Sequence, residues 1–199
     1  FLSRFSDQAR IRLNRKTNIF NGIEAFNPFS TSIRDTNLLS TTSTIRNSLF
    51  FNRTSNIVGG EFTVQDTRSK ILLASGFDSR QNTYAEMSFR WNIQRKFTLE
   101  ATGQNGVKIV EADYTTGRNY SLDYYFVKPS ITYQPSTTFR IGLNGRYSYK
   151  QNAEVYGGDI AIVKEMGATF KYNKAEKGSF QGTIMAVDIS YSGEQNSPL

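Results

Sequence analysis

Four short polar turns recur along the chain at nearly constant spacing, and this rhythm limits the folds open to it. They are Arg53-Thr54-Ser55-Asn56, Gln94-Arg95-Lys96, Gln134-Pro135-Ser136 and Asn173-Lys174-Ala175-Glu176-Lys177-Gly178, with centres roughly 40 residues apart. Aromatic residues flank each turn: Phe50, Phe51 and Phe62; Trp91 and Phe97; Tyr133 and Phe139; Phe170, Tyr172 and Phe180. Between the turns, apolar and polar residues alternate with the period of a strand. In residues 84–93, Ala85, Met87, Phe89, Trp91 and Ile93 alternate with Tyr84, Glu86, Ser88, Arg90 and Asn92. In residues 139–150, Phe139, Ile141, Leu143, Gly145, Tyr147 and Tyr149 oppose Arg140, Gly142, Asn144, Arg146, Ser148 and Lys150. No helical period fits these windows.

The pattern predicts an all-β chain: an antiparallel up-and-down meander of about nine strands. They are expected near 5–16, 42–52, 57–74, 79–93, 97–113, 118–133, 137–151, 157–172 and 179–192. Short turns would lie on one side. Longer connections, near 76–80, 115–119 and 151–158, would lie on the other. Residues 17–41, rich in Asn, Ser and Thr, read as a long irregular loop on that second side, with a helical turn near 35–39. The 199 residues suit one domain.

Short turns, longer opposite loops and aromatic rings at strand ends are the signature of a transmembrane β-barrel. Each expected strand exceeds the ~9–11 residues needed to cross a bilayer at a tilt. A mean hydropathy of −0.48 does not oppose this, because half of each strand would face a polar interior. Lipid would meet Met87, Phe89, Trp91, Leu99, Ile141 and Leu143. The lumen would be lined by Glu86, Arg90, Glu100, Arg140, Arg146 and Lys150. Phe51, Trp91, Phe97, Tyr133, Phe139, Tyr172 and Phe180 would form an aromatic girdle. Nine strands are an odd number, and no terminal aromatic closes the sequence. The expectation is therefore that the barrel is incomplete, its remaining strands being a partner of this segment.

Turn positions also predict register. A turn centred on Arg95 sets Arg90 opposite Glu100 and Phe89 opposite Ala101. One centred on Pro135 sets Phe139 opposite Ile131 and Arg140 opposite Ser130. Pro129 falls inside a strand, where a bulge is expected. In 179–192 the apolar series changes face, from Phe180, Ile184 and Ala186 to Val187, Ile189 and Tyr191, which a bulge near Ala186 would explain. Lys164 interrupts the series Ile160, Ile162, Met166, Ala168 and Phe170, and is tolerable near a membrane interface. Asn47 interrupts another.

Composition removes several function classes. There is no histidine, so triads that need an imidazole are excluded. There is no cysteine, hence no disulfide framework and no thiolate metal site. Lys and Arg number 24 against 17 Asp and Glu, a net +7 spread too evenly for a nucleic-acid groove. Glu86 and Glu100 on neighbouring strands read as lumen charges, not as a catalytic pair. Gly59-Gly60 and Gly157-Gly158-Asp159 read as turn or bulge glycines, without the spacing of a phosphate or calcium loop. No catalytic, cofactor-binding or metal-ligating residue is expected.

The run Arg46-Asn47-Ser48-Leu49-Phe50-Phe51-Asn52-Arg53-Thr54, the segments Val58-Gly59-Gly60 and Ser75-Gly76-Phe77-Asp78-Ser79-Arg80, and the closing Gly193-Glu194-Gln195-Asn196-Ser197-Pro198-Leu199 resemble the C-terminal barrel region of large Gram-negative outer-membrane surface proteins. That resemblance implies a bacterial outer-membrane location, with the lipid bilayer as partner and no assigned active site. The expected function is a non-catalytic structural or pore-forming barrel component, a porin-like channel or an anchor displaying surface loops. The other reading is a soluble extracellular β-sandwich or lipocalin-like binding module, whose apolar face would line a core or cavity.

Overall fold

The structure is a computed structural model and describes residues 2–15, 38–73, 76–94, 96–113, 116–174 and 178–193. Nine strands form one antiparallel sheet in chain order: β1 (Leu2–Arg15), β2 (Leu38–Phe51), β3 (Val58–Leu73), β4 (Gly76–Ile93), β5 (Phe97–Ala112), β6 (Tyr120–Tyr133), β7 (Phe139–Asn152), β8 (Ile160–Lys174) and β9 (Gly178–Ser192). All nine expected strands are present. Among the described residues there is no α-helix. Single 3₁₀ turns sit between β5 and β6 and between β7 and β8.

The sheet is one layer. Among the described residues Val110 is the only buried hydrophobic. The chain exposes 14040 Å², against about 9500 Å² for a compact monomer of this mass. An apolar strand face with no second layer among the described residues gains little from burial within the sheet.

Register follows from the turns. The three-residue turn after Ile93 closes with Gln94 in the left-handed region at φ 51° and Lys96 N–H donating to the Ile93 carbonyl at 3.2 Å. Its short span fixes Arg90 opposite Glu100 and Phe89 opposite Ala101, as expected. At the next short turn the expectation fails. Residues 134–138 form a five-residue loop, so Ile131 faces Leu143, not Phe139, and Ser130 faces Asn144, not Arg140. The slip moves each partner by an even number of residues, so every side chain keeps its face.

Neither expected bulge forms. Around Pro129 the β6–β7 register is the same on both sides, and only the pairs at Lys128 and Pro129 drop out. Proline thus costs ladder hydrogen bonds toward β7 without adding a residue. In β9 the register with β8 runs unbroken from Lys174↔Gly178 to Ile160↔Ser192. Phe180, Ile184 and Ala186 therefore do lie on the face opposite Val187, Ile189 and Tyr191. Both faces of β9 are exposed, and nothing within the sheet packs on it to demand one apolar side.

Two further boundaries differ. β2 begins at Leu38, so residues 38–41 are strand and not the end of the long loop or its helical turn; residues 16–37 lie outside the described residues. Residues 76–80 belong to β4, and the β3–β4 connection is tighter than expected, with Gly76 at φ 101° beginning the strand. Gly59 and Gly60 are inside β3, paired with Arg90 and Phe89. Gly157 and Gly158 are turn glycines, at φ 111° and 65°.

Candidate functional site

The candidate functional features of this chain are its two faces. Because partners across each ladder share a face, the register sorts every strand residue. Met87, Phe89, Trp91, Leu99, Ile141 and Leu143 all fall on one face, as do Phe51, Phe97, Tyr133, Phe139, Tyr172 and Phe180. Glu86, Arg90, Glu100, Arg140, Arg146 and Lys150 all fall on the other. The structure brings each set together as the alternation requires.

The apolar face is a band, not a uniform surface. Phe97 stacks on Tyr133 with centroids 4.4 Å apart, and Phe170 contacts both Phe139 and Phe180, at 5.3 and 5.9 Å. These rings form a row beside the short turns. A second row, Tyr125 with Tyr149 at 5.2 Å and Tyr147 at 5.9 Å, lies further along β6 and β7. Toward the long loops the same face becomes polar. Arg68 Nε donates to Asp66 at 2.7 Å, and the Thr83 hydroxyl donates to Asp66 as well. Asn47, in β2, stands between Asp7 and Val64, next to this polar margin. Lys164 pairs with Asp188 at 3.8 Å, an exposed pair worth little.

The band is staggered. One row of ladder partners runs Val58, Trp91, Leu99, Ile131, Leu143, Ala168, Ile184. Val58 is the first residue of β3, Leu99 the third of β5, Leu143 the fifth of β7 and Ile184 the seventh of β9. The line of short turns therefore recedes by one residue per strand. At ~3.3 Å per residue and ~4.8 Å between strands, the strands lean about 35° from the perpendicular to that line.

The polar face is hydrogen-bonded in patches. Ser48 and Thr63 hydroxyls are 2.7 Å apart, and Thr63 donates to Glu61 at 3.0 Å. Tyr124 donates to Asn82 and Tyr84 to Gln65, both at 3.0 Å. Both tyrosines crowd Gly106, whose missing Cβ would lie 2.7 Å from the Thr83 carbonyl oxygen, 2.7 Å from Tyr84 Cβ and 2.8 Å from the Tyr124 hydroxyl. Arg146 reaches Glu165 at 3.5 Å and lies over the Phe126 ring, while its buried Nε has no hydrogen-bond partner. The Arg90–Glu100 ion pair suggested by their opposition does not form. Arg90 Nη2 donates instead to the Ser55 carbonyl at 3.1 Å. At the long-loop end of β4, beyond the apolar band, hydrogen bonds from Arg80 hold the Asp78 carboxyl below the usual carboxylate range.

Sequence reasoning placed the loop between β7 and β8 but missed the side chains that hold it. Asn152 and Asp159 are each 1% exposed. Asn152 Nδ2 donates to the Tyr156 carbonyl at 2.7 Å, while its Oδ1 accepts from Ser121 and Ala153 N–H. Asn152 thus ties the loop to β6. Its only sequence signal is the pair of glycines that follow. Among the described residues no group of His, Cys, Asp or Glu could hold a metal ion, and no helix is long and apolar enough to cross a membrane. Comparisons with protein-family models, with curated proteins and with solved structures find no match.

Proposed function

We propose that this sheet is a segment of a bacterial outer-membrane β-barrel, with its apolar face against lipid and its polar face toward a lumen. The role is structural or pore-forming and non-catalytic: a channel, or an anchor that displays the long loops. The remaining strands of the same barrel would pair with the free edges of β1 and β9.

The observation that carries this reading is the staggered apolar band. A lean of ~35° falls at the lower end of the ~35–45° that barrel closure requires. From Phe139 to Tyr149 the apolar face of β7 extends ~33 Å along the strand, or ~27 Å along a membrane normal at that lean. Barrels of this kind carry an apolar belt about 25 Å tall between two aromatic girdles. The rows at Phe97–Tyr133 and at Tyr125–Tyr149 stand where those girdles would be. Polar Asp66, Arg68 and Thr83 stand where the strands would leave the hydrocarbon.

Spin labels at Phe89 and Leu143 in lipid vesicles test the proposal. Depth-dependent contact with acyl chains is expected at both, and shielding by protein at both would overturn it. A soluble binding module would give that second result and would also be monomeric without detergent. If the lumen is open, its basic surplus predicts anion preference. Reversal potentials in a salt gradient measure this, and cation selectivity would count against an open basic pore.

A further inference from the structure

We infer that the short-turn end of the polar face, over β1–β4, is a binding site for an oxyanion, a soluble ligand carrying phosphate or carboxylate groups. Two adjoining hollows lie there, of about 440 and 260 Å³, and share Phe50, Arg53 and Glu61. The smaller is lined by Arg4, Arg46 and Arg53, with Glu61 the one carboxylate in its lining. The larger adds Arg90 and Glu100. Four guanidinium groups thus face two carboxylates across the joined space. Guanidinium forks match the paired oxygens of phosphate and carboxylate, and such charge-assisted bonds are about twice as strong as neutral ones.

Backbone features build this cleft. At the start of β1, Leu2 pairs with Phe51 but Arg4 pairs with Phe50, a register shift of one residue. Arg4 keeps the register of the rest of β1, in which Phe5 opposes Leu49 and Ser6 opposes Ser48, so alternation places it on the polar face with Arg46; the shift falls before it, at Leu2. Gly59 lines the larger hollow, and a Cβ there would meet the Asn52 carbonyl oxygen at 3.4 Å and Arg90 Nη2 at 3.7 Å, ordinary contact distances.

The charges are also held in place. Glu61 accepts from Thr63 at 3.0 Å and lies 3.6 Å from Arg46 Nη2, so its negative charge is partly answered from within the sheet. The Arg53 guanidinium lies 4.6 Å from the Phe50 ring centroid, which orients its planar fork. Arg90 is anchored on Ser55. The inference stands apart from the membrane reading, because all four arginines sit on β1, β2, β4 and the turn between β2 and β3, with no need of closure or lipid.

Calorimetric titration of the full chain with pyrophosphate and with citrate, at low ionic strength and in whichever of detergent or buffer keeps it monodisperse, tests the site. One equivalent of at least one probe is expected to bind. The Arg46→Gln/Arg53→Gln double variant is expected to weaken that binding at least tenfold, and Arg140→Gln, outside both hollows, to leave it within twofold. If the double variant loses the strand signal in circular dichroism, Arg4→Gln, at the exposed edge, decides with an expected weakening of threefold or more. Failure of the wild type to bind either probe overturns the inference. So does equal weakening by Arg140→Gln, or undiminished binding in the folded arginine variants.

Discussion

The ring of Pro129 lies against Gly145 across the β6–β7 ladder: a Cβ on Gly145 would stand 3.4 Å from Pro129 Cγ. This contact occupies the place where two ladder pairs are missing. Pro129→Val is therefore expected to restore a donor toward β7 and to stabilise the sheet by about 1 kcal/mol. Urea midpoints of the refolded chain measure this, and a fall in midpoint would show that the proline–glycine contact outweighs the lost hydrogen bond. Gly145→Ala is expected to be nearly neutral, because its new methyl would meet the ring at ordinary contact distance.

The β6–β7 register can be read directly, since the chain contains no cysteine to interfere. Opposite residues in a ladder have Cβ atoms ~4.5–5.5 Å apart, close enough for a disulfide with slight adjustment. Ile131→Cys with Leu143→Cys is expected to crosslink on mild oxidation. Ile131→Cys with Phe139→Cys is not, as four residues of slip separate them. Efficient crosslinking of the second pair alone would mean a three-residue turn and a different register.

This register marks where the sequence stopped being informative. Alternation alone fixed which face Phe89, Leu143, Arg90 and Arg146 occupy, because a period of two survives any even slip. It could not fix Ile131 against Leu143, because that depends on how many residues the loop around Pro135 uses. β9 misled for a different reason. The bulge expected near Ala186 assumed one continuous apolar face, but β9 is exposed on both faces and nothing within the sheet packs against it to select one. The crowding of Tyr84 and Tyr124 around Gly106 had no sequence signal beyond a glycine in a polar run. It arises from tertiary packing.

Gly106 is expected to tolerate no side chain. An added Cβ would lie 2.7 Å from the Thr83 carbonyl oxygen, and a backbone atom cannot swing aside. Gly106→Ala should cost about 1–3 kcal/mol through overpacking and disturb the Tyr124–Asn82 hydrogen bond. Denaturant midpoints give the cost. Tyr124→Phe in the Gly106→Ala background should recover little, since the backbone clash remains. Full recovery would place the strain in the hydroxyl instead.

Arg90 and Glu100 offer a test of opposition without contact. Because Arg90 is bonded to the Ser55 carbonyl, the double-mutant cycle of Arg90→Gln and Glu100→Gln is expected to give a coupling below about 0.3 kcal/mol. Arg90→Gln alone should loosen the β2–β3 turn, and Glu100→Gln should change little. A coupling near 1 kcal/mol would mean that the two charges do meet across the ladder.

The two faces should answer a buried charge differently if lipid lies against only one of them. Leu143→Arg is expected to cost about 2–4 kcal/mol in lipid vesicles, the depth-dependent penalty of a guanidinium on the lipid side of a barrel. Asn144→Arg, one residue on and exposed on the opposite face, should stay within about 0.5 kcal/mol. Lys164, already a charge on the apolar face, sets the scale between them: it lies well along β8 from the last short turn, and Lys164→Leu should gain no more than about 1 kcal/mol there. The comparison is made by reversible denaturant unfolding in vesicles of one thickness, then repeated in a thinner bilayer. In the thinner bilayer the Leu143→Arg penalty should shrink while the Asn144→Arg value stays put. Equal costs at residues 143 and 144, unchanged by thickness, would mean that the apolar band does not face acyl chains.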